Sequence, residues 1–142
     1  MNNPVLETKS TYKGYPYVVL FMPGAYRCGY VGVPYSHKLA KKRVNDLGYL
    51  RCHGGVTYAE SHLYNCNDEN TWWIGFDCAH CFDGYDIELA KQYFGCNPGF
   101  EKTFSVVEDL WEKANKYPET EIRSLAYVKD ECKKLIDQIE KE

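Results

Sequence analysis

Residues 15–33 have the sequence YPYVVLFMPGAYRCGYVGV, which predicts a β-hairpin. Tyr15 to Met22 is rich in β-branched and aromatic residues, which are enriched in strands. The Pro23-Gly24 dipeptide that follows is a turn signal, and Cys28 to Val33 predicts a second strand that Pro34 ends. Two strands joined in this way pair antiparallel. We therefore expect an antiparallel sheet of roughly four to six strands.

A third strand is predicted at Thr71 to Cys78, TWWIGFDC. This apolar run is short and bounded by polar residues, and its length favours a strand over a helix. Strand alternation divides its side chains between two faces. The first face carries Trp72, Ile74 and Phe76, and the second carries Trp73, Gly75 and Asp77. On the second face, the indole ring of Trp73, the backbone left uncovered at Gly75 and the carboxylate of Asp77 together would suit the binding of a nucleobase or a sugar.

The most regular helical pattern lies near the C-terminus, where five apolar residues recur at spacings of three and four. They are Leu125, Val128, Cys132, Leu135 and Ile139. Ser124 is the expected N-cap, with a start near Thr120 as the alternative. The apolar stripe favours packing against the sheet. Pairing with a second chain is the other interpretation, because the spacing also resembles a heptad.

Weaker patterns mark the rest of the chain. They predict a helix over Asp86 to Phe94, a helix from Ser105 to about Lys116, a short helix or loop over His37 to Gly48, and a loose segment or short edge strand over residues 1–14. The second of these helices rests on a capping box formed by Ser105 and Glu108.

Composition indicates a single soluble domain over residues 1–142. The chain is 44% hydrophobic and 26% charged, as is typical of globular proteins. No run approaches the ~20 apolar residues of a membrane span, and the net charge of −3 argues against binding long nucleic acids. The cysteine count of 7 is odd and no export signal is evident, which predicts reduced thiols in the cytoplasm. The predicted class is α+β, an antiparallel sheet with packed helices and a long C-terminal amphipathic helix.

Two stretches concentrate side chains suited to chemistry. The first is His53-Gly54-Gly55-Val56-Thr57-Tyr58. Its glycines allow close approach to a ligand and offer N–H groups to an anion, although a tight turn needs the same residues. The second follows the third predicted strand, where Asp77, His80 and Asp83 place polar groups at the end of an element. Asp77 would bind ribose hydroxyls, orient His80, or cap a turn of its own backbone.

A structural zinc ion is one interpretation of the second stretch. Cys78-x-x-Cys81 has thiolate spacing, with His80 between and Cys66 and Cys96 nearby. Four ligands are needed, and the sequence has no second Cys-x-x-Cys pair. We therefore expect no metal.

Hydrolysis and binding without chemistry are the other two interpretations. Hydrolysis would use His53 and His80 as general acid and base, with Asp77 and Asp83 orienting them or holding an ion. Binding would use aromatic rings, glycine N–H groups and basic side chains such as Arg27.

The two stretches together resemble a family of small phage and prophage proteins of unknown function. The matching residues are His53-Gly54-Gly55-Val56-Thr57-Tyr58, Trp72-Trp73-x-Gly75-Phe76-Asp77-Cys78-Ala79-His80-x-x-Asp83, Gly29-Tyr30-Val31-Gly32-Val33-Pro34 with His37, and Arg123-Ser124-Leu125-x-Tyr127-Val128-x-x-Glu131-Cys132-x-x-Leu135-x-x-Gln138. Small phage proteins are often antagonists of host defence, and some sequester the nucleotide signals of bacterial immunity. The resemblance therefore implies a phage origin and favours nucleotide capture.

We predict a phage anti-defence protein that sequesters a small phosphorylated nucleotide, of the cyclic ADP-ribose or cyclic dinucleotide type, in the cytoplasm of the infected bacterium. The predicted ligand-binding residues are Arg27, His53, Gly54, Gly55, Thr57, Tyr58, Trp73, Asp77 and His80. No cofactor is expected, and the Tyr-rich composition favours a homodimer or higher oligomer. One alternative is a phosphodiesterase or nuclease that cleaves the signal with His53, His80, Asp77 and Asp83. Another is a direct protein inhibitor of a host defence enzyme.

Overall fold

The computed structural model describes residues 3–142, which form a five-stranded sheet and three helices. The elements are β1 (Val5–Tyr12), β2 (Tyr15–Phe21), β3 (Arg27–Pro34), β4 (Tyr58–Glu60), β5 (Thr71–Asp77), α1 (Ile87–Phe94), α2 (Phe100–Asn115) and α3 (Leu125–Ile139). The strands are ordered β1-β2-β3-β5-β4, and every neighbouring pair is antiparallel. The predicted α+β class with an antiparallel sheet is confirmed.

The hairpin predicted from residues 15–33 is present as β2 and β3. Its register places Val19 opposite Gly29, and the Met22 N–H closes the turn by donating to the Tyr26 carbonyl at 2.8 Å. β1 pairs with the outer side of β2. The N-terminal segment is therefore an edge strand of 8 residues rather than a loose end, while residues 1 and 2 lie outside the described part of the chain.

β5 lies between β3 and the short strand β4, and its side chains alternate as predicted. Ile74 and Phe76 are buried on the face that packs against α3. Trp73 is buried on the opposite face, in a cluster with Leu63 and Cys66 from the segment between β4 and β5. That segment therefore covers the face on which the sequence suggested an open ligand surface.

The three helices occur near the predicted places, but one begins earlier than expected. Asp86 caps α1 by accepting a hydrogen bond from the Leu89 N–H at 3.2 Å. The capping box predicted at Ser105 is wrong, because α2 begins at Phe100 and the Ser105 hydroxyl, inside the helix, donates to the Lys102 carbonyl. Burial of Phe100 and Phe104 among the aromatic side chains around α1 extends the helix toward its N-terminus.

Helix α3 lies across one face of the sheet, against β2 and β3. Ser124 caps it by accepting a hydrogen bond from the Tyr127 N–H at 3.1 Å. Most of its predicted apolar stripe is fully buried in the same cluster as the sheet residues, namely Val128, Cys132, Leu135 and Ile139. The stripe is therefore used within the chain, as the interpretation of packing on the sheet predicted, and is not open to a second chain.

The basic stretch from His37 to Gly48 consists of turns and one short 3-10 helix, Val44–Leu47. Leu39 and Leu47 bury their side chains in the core beneath α3. Among residues 3–142, no helix combines the length and apolarity needed to cross a lipid bilayer.

Candidate functional site

Three chain segments meet beyond the end of β5. They are the turn at 52–57, the loop at 77–84 and the segment at 121–127 that leads into α3. Backbone hydrogen bonds join the last two, since the Gly84 N–H donates to the Glu121 carbonyl at 2.7 Å and the Glu121 N–H donates to the Phe82 carbonyl at 2.9 Å. This pairing brings polar side chains from all three segments into one cluster.

Asp83 is the centre of this cluster, and its side chain is only 1% exposed. Its carboxylate lies 2.8 Å from His53 Nε2 and accepts hydrogen bonds from Arg123 Nε at 2.8 Å and from the His80 N–H at 3.0 Å. Burial by itself would raise the pKa of Asp83, but the hydrogen bonds from His53 and Arg123 outweigh it and lower that pKa below its ordinary value. Asp83 is therefore an ionised anchor at neutral pH.

His53 is held from both sides of its ring. Because Asp83 is ionised, the Nε2 atom of His53 carries the proton that it shares with that carboxylate. The Nδ1 atom lies 2.8 Å from the Tyr127 hydroxyl, which donates to it when the ring is neutral. Burial and the nearby Glu131 charge raise the pKa of Tyr127, so its hydroxyl keeps its proton. The result is a chain of hydrogen bonds from Tyr127 through His53 to Asp83.

His80 is the exposed member of the cluster, with 37% of its side chain open to solvent. Its ring lies between two carboxylates, with Nδ1 at 3.4 Å from Asp83 and Nε2 at 3.6 Å from Asp77. The ring also lies directly over Gly54, where a Cβ atom would overlap the imidazole. The absence of a side chain at Gly54 therefore makes room for the His80 ring, so the glycine is needed for packing within the chain.

Asp77 is held at the end of β5 by two hydrogen bonds. Its carboxylate accepts from the Thr57 hydroxyl and from the Ala79 N–H, both at 3.1 Å. The second bond is the local turn cap considered from the sequence. The first bond links the loop after β5 to the 52–57 turn, so Asp77 also helps to position His80 over that turn.

An open groove of about 260 Å³ adjoins His80 and Asp83. Its remaining walls are Cys81, Phe82, Tyr85, Ala114, Tyr117 and Thr120. Tyr117 is 67% exposed, and Phe82 is also exposed. Phe82 has a φ of 71°, in the left-handed region that a bulky residue rarely adopts. Strain of this kind often accompanies a functional role, and here it accompanies an aromatic ring placed at the rim of a groove.

Four predicted ligand-binding residues do not face this site. Arg27 is buried and holds Glu7 through two hydrogen bonds of 2.7 and 3.3 Å, so it is not available to a phosphate. Trp73 has no exposed surface, and Tyr58 packs beside it on the opposite face of the sheet. The Gly55 N–H donates to the Cys52 carbonyl at 2.9 Å. Gly54 and Gly55 thus form a tight turn, which was the alternative to an anion-binding loop in the sequence analysis.

The other predicted residues do come together, namely His53, Gly54, Thr57, Asp77, His80 and Asp83. Sequence reasoning missed Arg123 and Tyr127 as members of the site, and it missed the rings of Phe82 and Tyr117. Arg123 and Tyr127 both occur in the C-terminal motif quoted from the sequence, Arg123 to Gln138, which was the available signal. The hydrogen bond between His53 and Tyr127 spans 74 positions, so no local pattern could reveal it.

The cysteines take no visible part in the cluster. All seven are free thiols, including the Cys78 and Cys81 pair. Burial raises the pKa of the Cys78 thiol well above its ordinary value, which disfavours the thiolate that a metal would need.

No protein-family model matches the chain, and neither a curated protein nor a solved structure is detectably similar to it. Its function is therefore inferred from the geometry of the site.

Proposed function

We propose that the protein binds a small phosphorylated nucleotide at the surface formed by His80 and the adjoining groove. The observation that carries this proposal is the direct contact between two kinds of surface. A polar cluster with one exposed imidazole adjoins an open groove lined by aromatic side chains. A nucleotide has the same division, with a flat apolar base at one end and a sugar and phosphate at the other.

The base is expected to stack in the groove. Tyr117 and Phe82 offer exposed ring surface, and Tyr85 is itself stacked on Trp111, with ring centroids 5.3 Å apart. Stacking of a base on an aromatic side chain contributes about 1–3 kcal/mol. These rings take the role that the sequence had suggested for Trp73.

The sugar and phosphate are expected to meet His80, Asp77 and Thr57. Asp77 accepts two hydrogen bonds from the protein and has lone pairs left for a ribose hydroxyl. His80 lines the groove, and its exposed ring is the expected donor to the phosphate. The groove volume of about 260 Å³ is just below the ~300–1,000 Å³ typical of ligand pockets. A groove of this volume is expected to hold one nucleotide unit, with the rest of a cyclic dinucleotide projecting from it.

The test is to incubate the pure protein with a panel of cyclic dinucleotides and cyclic ADP-ribose isomers, filter, and heat the protein to release what it holds. Chromatography of the filtrate and the eluate is expected to show depletion followed by intact release. The Tyr117→Ala and His80→Ala variants are expected to lose most of the depletion, while His62→Ala, an exposed histidine outside the cluster, retains it. Absence of depletion for every compound would contradict the proposal.

Hydrolysis of the same ligand is the second candidate, and one observation favours it. The hydrogen-bonded chain from Tyr127 through His53 to Asp83 resembles the arrangement that orients a general base. Both nitrogens of His53 are engaged in it, so His80 would be the imidazole that meets the substrate. In the panel experiment, depletion with a new product peak that His80→Ala abolishes would support cleavage.

The biological setting extends the proposal. We infer from the family resemblance that the ligand is a signal of bacterial antiviral defence and that the protein acts in the infected cell, as a homodimer or higher oligomer. A monomer at micromolar concentration in light scattering would contradict the oligomer. Failure to restore phage growth in a defended host would contradict the anti-defence role.

A further inference from the structure

We propose that His53, His80 and Asp83 form a binding site for one divalent transition-metal ion, with Zn²⁺ as the first candidate. Each residue offers one ligand atom, and these three atoms all lie within 4.8 Å of one another. Ligands held at 2.0–2.2 Å from one zinc ion are roughly 3.3 Å apart in a tetrahedral site. The distances from Asp83 Oδ2 to His53 Nε2 and His80 Nδ1 are 2.8 and 3.4 Å, close to that separation.

The residues behind the three ligands have the arrangement expected around a metal. A ligating histidine normally uses its second nitrogen in a hydrogen bond that fixes the ring. When His53 Nε2 binds the ion, the ring proton that it shares with Asp83 moves to Nδ1, which then donates to the Tyr127 oxygen 2.8 Å away. The second oxygen of Asp83 accepts a hydrogen bond from Arg123 at 2.8 Å. Both side chains are therefore already oriented, and the main change on binding is the shift of the His53 ring proton from Nε2 to Nδ1.

Local charge also favours a cation. The carboxylates of Asp77, Asp83 and Glu121 lie around the site, and within residues 3–142 the lysine or arginine that forms an ion pair with any of them is Arg123. With neutral histidines, three negative charges face one positive charge. A divalent ion would balance them, and it would supply the positive charge that a phosphate needs and that Arg27 does not provide.

The identity of the ligands narrows the choice of ion. Two imidazoles and one carboxylate suit zinc, iron(II), cobalt and nickel better than calcium or magnesium, which prefer oxygen. Three protein ligands leave at least one position open, and open positions characterise catalytic rather than structural sites. His80 is exposed, so the open position would face the groove.

This inference goes beyond the proposed nucleotide binding and does not need it, because the metal alone is the probe. The full chain, stripped with a chelator, is titrated with Zn²⁺ by calorimetry and with Co²⁺ by visible absorption. We expect one ion per chain and a Co²⁺ spectrum without the charge-transfer band of a thiolate ligand. A thiolate band, or less than a tenth of an equivalent bound, would overturn the site.

Three variants locate the ion. His80→Ala is expected to weaken binding by at least about 100-fold, since loss of even an outer partner changes metal affinity 10–100-fold. Tyr127→Phe, which removes the hydroxyl beside His53, is expected to weaken it by about 10-fold. His62→Ala is the matched control and is expected to bind as the parent does. Equal affinity of His80→Ala and the parent would overturn the proposal. A chain that binds zinc but no nucleotide would refute the proposed function alone.

Discussion

Two clusters of buried charge lie side by side in this protein, and each pairs an arginine with a carboxylate. In the first, Arg27 and Glu7 are 7% and 4% exposed, and the Tyr93 hydroxyl donates to Glu7 at 2.7 Å. In the second, Arg123 and Asp83 are joined to the exposed ring of His80. A hydrogen bond of 3.0 Å from Arg27 to the Arg123 carbonyl connects the two clusters.

The clusters differ in the member that reaches solvent. The first exposes the ring of Tyr93, which is 36% exposed, whereas the second exposes the imidazole of His80 beside a groove. Arg27 and Glu7 satisfy each other inside the protein, between β1, β3 and α1, so their role is structural. Asp83 is equally buried, but its partners extend to the surface, where they meet a groove. A buried ion pair that orients an exposed imidazole at a groove is a common arrangement in binding and catalytic sites.

The largest expected effect tests the first cluster. Arg27→Ala leaves the Glu7 carboxylate buried without its partner, and we expect a loss of about 3–5 kcal/mol in the free energy of unfolding. Urea denaturation measures it. The double variant Arg27→Met with Glu7→Leu removes both charges and is expected to recover much of this loss. A cost of the single variant below about 1 kcal/mol would refute the structural role.

Arg123→Ala is the corresponding change in the second cluster and is expected to cost less, about 1–3 kcal/mol. Asp83 keeps its hydrogen bonds to His53 and to the His80 N–H, and the Arg123 side chain is 19% exposed, so solvent replaces part of what is lost. Urea denaturation of both arginine variants under the same conditions compares the clusters directly. Equal costs would mean that the second cluster is as closed as the first.

Gly54→Ala tests how the second cluster holds its exposed member. We expect a cost of about 1–2 kcal/mol, because Gly54 has a φ of 69° and a Cβ there would displace the His80 ring. Gly55→Ala is the matched control, since Gly55 has a φ of 85° and no atom close to its Cβ position. If the two variants are equally stable and only Gly54→Ala loses ligand and zinc binding, the position of the His80 ring is what binding requires. If Gly54→Ala binds as the parent does, that position is not required.

His80→Ala is expected to have the smallest effect on folding, within about 0.5 kcal/mol, because the side chain is exposed at the surface. The same variant is expected to lose ligand and metal binding. Thermal denaturation in the absence and presence of Zn²⁺ measures both effects, since an ion that binds only the folded state raises the melting temperature. If the variant is instead strongly destabilised, His80 stabilises the fold as Arg27 does, and loss of binding could not be assigned to its imidazole.

Sequence reasoning predicted the local elements well where the pattern is long and regular. The alternation along β5 correctly placed Trp72, Ile74 and Phe76 on one face and Trp73 on the other. The apolar spacing of α3 predicted both the helix and its buried stripe. It failed at Ser105, where a capping pattern was present but burial of Phe100 and Phe104 decided the start of α2. Tertiary packing outweighed the weaker local signal there.

In the candidate site too, local patterns predicted some features and tertiary packing decided the others. Its polar residues His53, Asp77, His80 and Asp83 were identifiable because such side chains cluster at the ends of elements. Their roles were less predictable, since Arg27 and Trp73 have the chemistry of a ligand site and yet are buried. A residue type states what a side chain can bond to, and only its surroundings state what it does bond to.

The amino-acid sequence alone therefore determined the class of fold, the faces of β5 and α3, and the chemical types available at the site, because these depend on periodicity and on neighbours close along the chain. Tertiary structure alone decided which residues are open to a ligand. Segment 61–66 covers Trp73, and residues as far apart as His53 and Tyr127 become partners. Such contacts depend on how distant segments pack, and that packing leaves no periodic trace in the sequence.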